Sequence, residues 1–348
     1  MRRGFFPPPQ KCKSGIFSLG DREGVLTQLR VLLIGFAGHK TTLRLHPTMK
    51  RTLLALTTAV FCATIPSTLQ ADFAPAVKFA EVNGVKLAYY IRGEGEPLLM
   101  INGFVSSMSL WDPLMLETLA QQHQLILFDN RGVGLSTDTK ENNTTIPQMA
   151  DDAAGLIKAL GLKKANILAF SMGARIGQQV LIRHPDLVNK AVLCAADPGG
   201  KYDDPAAPDV EAKLNNPDAP KMERLALTVP DTEAGQAALK AALARIKAAV
   251  ASGIIPDDFD VSKQTTERQD RARTTLWKAD NSNFENLKNI KVPVLITDGR
   301  YDAIDPPKNS LIIANQIPFS WLAFFDGGHS FLYTSPKHFA DTVNAFLQ

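Results

Sequence analysis

Cysteine is nearly absent from this chain: Cys12, Cys62 and Cys194 are the three in 348 residues. The first two lie in an N-terminal stretch that reads as removable, which leaves a lone Cys194 inside an apolar segment. A disulfide framework is therefore excluded as the basis of the fold. Histidine is scarce as well, and no clustered His/Glu spacing of the kind that ligates zinc occurs, so neither a metal nor a cofactor is implied. No internal repeat or low-complexity tract is present. The most apolar N-terminal run, residues 53–65, is thirteen residues long, too short for an ordinary membrane span.

An excess of one charge sign is also missing where it would matter. The formal net charge is +3, but residues 1–71 carry ten Lys and Arg against two acids. The remainder holds 28 basic and 33 acidic residues, a net of −5. The basic balance belongs to the N-terminal extension, and nothing in the rest suggests a nucleic-acid partner.

The extension resembles targeting sequence. Met49, Lys50 and Arg51 form a short positive region, residues 53–65 an apolar one, and residues 66–71 a polar segment ending on the small Ala71. This is the pattern of a secretory signal starting at an internal Met49 and cleaved after Ala71. Residues 1–48 then lie upstream of the real start, and the protein is expected to be exported, periplasmic or secreted. Phe61 before Cys62 is too bulky for lipoprotein processing, so no stable membrane anchor is expected.

From residue 72 onward, with 45% of the whole chain hydrophobic, there is ample material for a sizeable core in one large domain or two small ones. Asn83-Gly84 marks a hairpin turn into a strand at 86–91. Short apolar strands follow at 98–101, 124–128, 167–170, 191–195, 293–297 and 321–325. Between them lie helical patterns at 111–122, at 149–160 with Gly161 as its stop, and from Ser171 to about His184. Strands alternating with helices imply a mostly parallel sheet covered on both faces, an α/β class. Between about 199 and 286 the strands give way to helices, a long one at 231–252 and another at 268–277. An insertion there sits over the C-terminal strand ends, where open α/β sheets bind ligands.

The chemistry gathers around Ala169-Phe170-Ser171-Met172-Gly173. An apolar strand ends on a serine, a glycine follows two residues later, and a helix begins: a nucleophile elbow, G-x-S-x-G, with Ala169 in the first glycine position. Of four histidines beyond residue 71, His329 follows Asp326-Gly327-Gly328 in a loop directly after the last strand. No structural need explains it there, and it can reach the serine as general base. Asp302, just beyond the strand at 293–297, is favoured as the carboxylate that orients the histidine. Asp298, Asp305 and Asp326 compete locally, and Asp197 competes from the preceding strand end. The order Ser171, Asp302, His329 is that of the α/β-hydrolases.

From about Glu81 to the C-terminus the chain resembles an α/β-hydrolase fold enzyme of the small cap-bearing esterase, enol-lactonase and haloperoxidase-like branch. Asn102-Gly103-Phe104 resembles that family's His-Gly-Phe segment, and residues 129–136 its D-x-R-G-x-G-x-S loop. The resemblance implies an oxyanion hole made by the amides of Phe104 and Met172. It also implies a helical cap at about 199–286, where Trp277 is offered as a substrate-binding residue. Asn102 in place of histidine leaves the backbone donors intact and is expected to alter the pocket wall.

The expected activity is cleavage of a small-molecule ester or lactone through an acyl-enzyme on Ser171. Carbon–carbon bond hydrolysis and perhydrolysis use the same triad and stay open. So does a ligand-binding protein on a hydrolase scaffold.

Overall fold

The computed structural model describes residues 76–348 except 142–143, 215 and 217–219. The upstream segment 1–48 and the export signal 49–71 lie outside the described residues.

Among the described residues, eight strands form one sheet. In chain order they are β1 (Lys78–Val82), β2 (Val85–Arg92), β3 (Glu96–Ile101), β4 (His123–Phe128), β5 (Ala165–Phe170), β6 (Val188–Cys194), β7 (Val294–Gly299) and β8 (Ser320–Phe325). Their spatial order is β1-β2-β4-β3-β5-β6-β7-β8. β1 and β2 pair antiparallel around Asn83-Gly84, whose φ values of 48° and 78° supply the tight hairpin turn, and β2 pairs antiparallel with β4. Every later pairing is parallel.

The central strands alternate between two apolar layers. Leu98, Met100, Leu125, Leu127, Leu168 and Val192 point to one face. There they meet helix α1 (Pro113–Ala120) and the C-terminal helix Pro336–Leu347. Leu99, Ile101, Ile126, Phe128, Ile167 and Leu193 point to the other, against helices α2 (Ile146–Ala159) and α3 (Met172–Arg183). All six residues of β5 are buried, as a strand covered on both faces requires. Capping sets two of the helix starts: Asp112 accepts from the Leu114 and Met115 amides before α1, and Thr145 accepts from Gln148 before α2. His123, at the start of β4, is only 5% exposed, because β4 lies inside the sheet between β2 and β3.

Helices fill the chain between β6 and β7. The longest, α4 (Glu233–Ala251), is capped by the Thr232 side chain and closes at Ser252 before Gly253. The helix expected at 268–277 starts earlier, as α5 (Lys263–Asp270), with the Ser262 side chain capping its first turn. α5 then widens into a π-helical stretch, Arg271–Leu276, before Trp277–Ala279. The excursion is drawn together at its base. The Lys201 amide donates to Asn281 Oδ1, Tyr202 stacks on Phe284 at 3.8 Å between ring centroids, and Gly199 lies flat against Trp277.

No helix among the described residues is long and apolar enough to cross a membrane.

Candidate active site

At the C-terminal end of β5 the backbone turns through Ser171 with φ 55° and ψ −126°, a conformation that costs about 1–3 kcal/mol outside glycine. The Ser171 amide donates to the Cys194 carbonyl at 2.8 Å and its carbonyl accepts from Ala174 at 2.7 Å, so both neighbours hold the turn. Gly173 has no substitute here. A Cβ at that position would lie 2.2 Å from the Ile101 carbonyl oxygen and 2.6 Å from that of Asn102. The first turn of α3 therefore passes directly beneath the end of β3. The methyl of Ala169 is accommodated because the facing helix residue is Gly177, where an added Cβ would lie 3.0 Å from it.

His329 bridges the other two expected residues. Its Nε2 lies 2.9 Å from Ser171 Oγ, and its Nδ1 lies 2.7 Å from Asp302 Oδ2. The other Asp302 oxygen accepts from the Ile304 and Asp305 amides at 2.8 and 3.0 Å, which fixes the carboxylate before it meets the ring. The acid and base loops are stapled together. Arg300 and Tyr301 amides donate to the Phe325 and Gly327 carbonyls, and a Cβ on Gly299 would lie 2.1 Å from the Gly328 carbonyl oxygen. Gly328 in turn lies against Thr228 and Val229, so the histidine loop touches the helical insertion.

Burial by itself depresses the His329 pKa, but the Asp302 carboxylate outweighs it and holds the ring above its usual 6.5. Asp298, behind Asp302, is raised to about 9 by burial and by the Asp302 charge, and it bonds to Ser310 Oγ at 2.6 Å. Burial likewise pushes the Cys194 thiol up to about 12, so this cysteine is a core side chain and no nucleophile.

Asp197 does not reach the histidine. Its Oδ2 lies 2.6 Å from Arg175 Nη2, and its Oδ1 accepts from Trp277 Nε1 and the Gly199 amide. Arg175 also bonds Asp305 at 3.0 Å, so these three charges form a buried brace beside the triad. Trp277, offered from the sequence as a substrate contact, is 4% exposed and bound to that brace. Its indole closes the base of the insertion, a structural task. Sequence reasoning had no signal for this, since Asp197 and Trp277 are 80 residues apart.

The segment after β3 carries the first expected oxyanion donor. Asn102 is fully buried, donates from Nδ2 to the Ser107 carbonyl at 2.9 Å and accepts from the Gly103 amide at 2.8 Å. It therefore shapes the loop from within and is no part of the pocket wall, contrary to expectation. A Cβ on Gly103 would lie 3.2 Å from Ser171 Cβ, which places this loop directly on the nucleophile. Met172 is the first residue of α3, so its amide has no acceptor in the helix and sits at the positive end of the helix dipole. Asp129, in the adjoining loop, accepts from the Met108 and Leu135 amides, and Arg131 pairs with Asp152 at 2.6 Å. Both hold loop structure. Among the described residues no group of three or more His, Cys, Asp or Glu could hold a metal ion.

Residues 96–336 match the family model described as the alpha/beta hydrolase fold. A Mycobacterium tuberculosis protein named as a non-heme bromoperoxidase, BpoC, is 30% identical over 263 residues, covering 73% of this chain and 94% of its own. Among solved structures, an alpha/beta hydrolase fold protein from Chitinophaga pinensis superposes with a TM-score of 0.70 at 29% identity, over 79% of this chain and 98% of that one. The enol-lactonase from Burkholderia xenovorans LB400 shares the fold at a TM-score of 0.60 and 22% identity, over 78% of this chain and 99% of its own. With the elbow, the sheet order and these matches together, the chain belongs to the alpha/beta hydrolase fold family.

Proposed function

We propose that the protein is a serine hydrolase that cleaves a small ester or lactone through an acyl-enzyme on Ser171. The observation that carries this reading is the unbroken chain from Ser171 Oγ through His329 to Asp302, at 2.9 and 2.7 Å, built on a strained serine turn. His329 Nε2 takes the hydroxyl proton as Oγ attacks the carbonyl carbon. Asp302 keeps the Nδ1 proton in place and stabilises the imidazolium. The Phe104 and Met172 amides hold the oxyanion, each worth about 3 kcal/mol in the transition state. His329 then returns its proton to the leaving alkoxide. Water attacks the acyl-enzyme with the same histidine as base and releases the acid.

The test is turnover of a panel of small aryl and alkyl esters and lactones by the wild type and by Ser171→Ala, which keeps a small residue at the elbow. Hydrolysis by the wild type that disappears in the folded variant is expected. Equal turnover by both would end the serine mechanism, and covalent labelling of Ser171 by a fluorophosphonate without turnover of any ester would favour a ligand-binding protein.

A further inference from the structure

Gln269 is fully buried on α5 and lies 164 residues from its hydrogen-bond partner, yet it bonds directly to the segment that carries the Phe104 amide. Its Oε1 accepts from the Val105 amide at 2.8 Å. Because an amide N–H needs an acceptor, that contact fixes which end of the side-chain amide faces the loop. Among the described residues its Nε2 has no hydrogen-bond partner, so the bond to the loop is the side chain's one hydrogen bond.

Val105 needs such support. Its φ is 43°, in the left-handed region, where a β-branched residue is a real outlier. Strain of this kind persists only where surrounding structure over-determines it. Phe104 stands between Gly103, which packs on the nucleophile, and the Phe104–Val105 peptide whose N–H Gln269 holds. Fixing that peptide plane restricts the rotation that aims the Phe104 amide. One turn beyond Gln269, Arg273 places its guanidinium 4.3 Å from the centroid of the Phe104 ring and so clamps the same residue from its side chain. The clamp lies where α5 widens into π-helical turns, a distortion common at functional sites.

We infer that Gln269 is a positioning residue for the oxyanion hole, through which the helical insertion sets the aim of the Phe104 amide. The inference rests on the serine-hydrolase reading above and goes beyond it. The oxyanion donor stands on the core, where Asn102 shapes its loop from within, but the acceptor for the Val105 amide is supplied by the insertion.

The experiment compares kcat and KM of the wild type, Gln269→Met and Gln269→Glu on an ester that the wild type turns over in a Ser171-dependent way. It adds the inhibition constant of a boronic acid, whose tetrahedral serine adduct places an oxygen in the hole. Gln269→Met is expected to lower kcat about 10- to 100-fold, the cost of a misaimed group, with KM within about twofold. The boronic acid should weaken by a similar factor. Gln269→Glu keeps an acceptor oxygen in either protonation state and should recover kcat to within about threefold of wild type. If Gln269→Met does not fold, Gln269→Asn, one methylene too short to reach Val105, reads the same way. A raised KM with unchanged kcat, or wild-type values in both Met and Asn variants, overturns the inference. Wild-type protein without Ser171-dependent turnover would instead refute the hydrolase reading itself, and the inference with it.

Discussion

Replacing Asp302 with asparagine should do two separable things, and the second distinguishes a catalytic acid from a structural one. The side chain keeps its shape, but the imidazole loses a carboxylate whose oxygen lies 2.7 Å from Nδ1 and which is itself buried. With the charge centres about 4 Å apart and an effective dielectric of about 20, imidazolium stabilisation falls by about 4 kcal/mol. Loss of the correct tautomer adds to this, for a total of about four orders of magnitude in kcat, or about 5 kcal/mol. The pH profile should move as well. In the wild type Asp302 holds the His329 pKa above 6.5, so the acid limb of kcat/KM lies above that value, since only the neutral ring can accept the serine proton. Without the carboxylate, burial dominates and depresses the ring. The limb of the residual activity should then fall below pH 6.5. The assay is ester hydrolysis from pH 5 to 9 for both proteins, with burst kinetics to show that acylation is being measured. Loss of activity with an unmoved acid limb would show that the limb belongs to another group and that Asp302 does not act on His329.

Asp197→Asn should stay active to within about tenfold, because Asp197 faces Arg175 and the base of the insertion and does not touch His329. Its cost is in stability. Breaking a buried ion pair costs about 3–5 kcal/mol, and since Arg175 keeps Asp305 at 3.0 Å the loss here should be nearer about 2 kcal/mol. That is a melting temperature lower by about 4–8 °C in a thermal scan, and a thousandfold loss of activity would refute the assignment. Asp298 offers a test by pH. Its pKa in the folded protein, about 9, lies above the ordinary 3.8, so its contribution to stability is complete at acid pH and is lost as pH rises through about 9. Asp298→Asn cannot ionise, and its denaturant midpoint should fall less than that of the wild type between pH 5 and pH 9. Parallel curves would contradict the raised pKa.

What the sequence disclosed follows from what steric demand writes into it. The elbow was legible because Ser171 needs small neighbours, and Gly173 against the Ile101 carbonyl tolerates nothing larger. The strand at 98–101 was legible as a short continuous apolar run because both of its faces are buried. His329 stood out because a loop glycine pair and a strand end gave it no structural reason to be there. Asp302 could be preferred over Asp197 but not separated from it, since both follow strand ends. Only the Arg175 brace, assembled from residues far apart in the chain, divides them. The start of α5 was missed because the polar run 263–267 carries no apolar period, and its first turn is set by the Ser262 cap instead. Gln269 was invisible for a related reason. A polar residue buried by one contact to a strained loop leaves no periodicity and no motif.

The closed base of the insertion has a consequence for how this scaffold can change. Lys201 and Asn281 meet across 80 residues, so the excursion is a loop whose ends are already fixed by their own contacts. The entropy of closing such a loop grows only with the logarithm of its length, about 0.6 kcal/mol for each doubling. Lengthening or shortening the insertion beyond that closure therefore costs the sheet little entropy, while its contacts to the histidine loop at Thr228 and Val229 and to Phe104 through Arg273 have to be kept. The surface that meets the substrate is free to diversify, with one further restriction. On the inference drawn above, whatever replaces these helices has to present an acceptor to the Val105 amide, so an unrelated insertion on this core is expected to carry its own counterpart of Gln269.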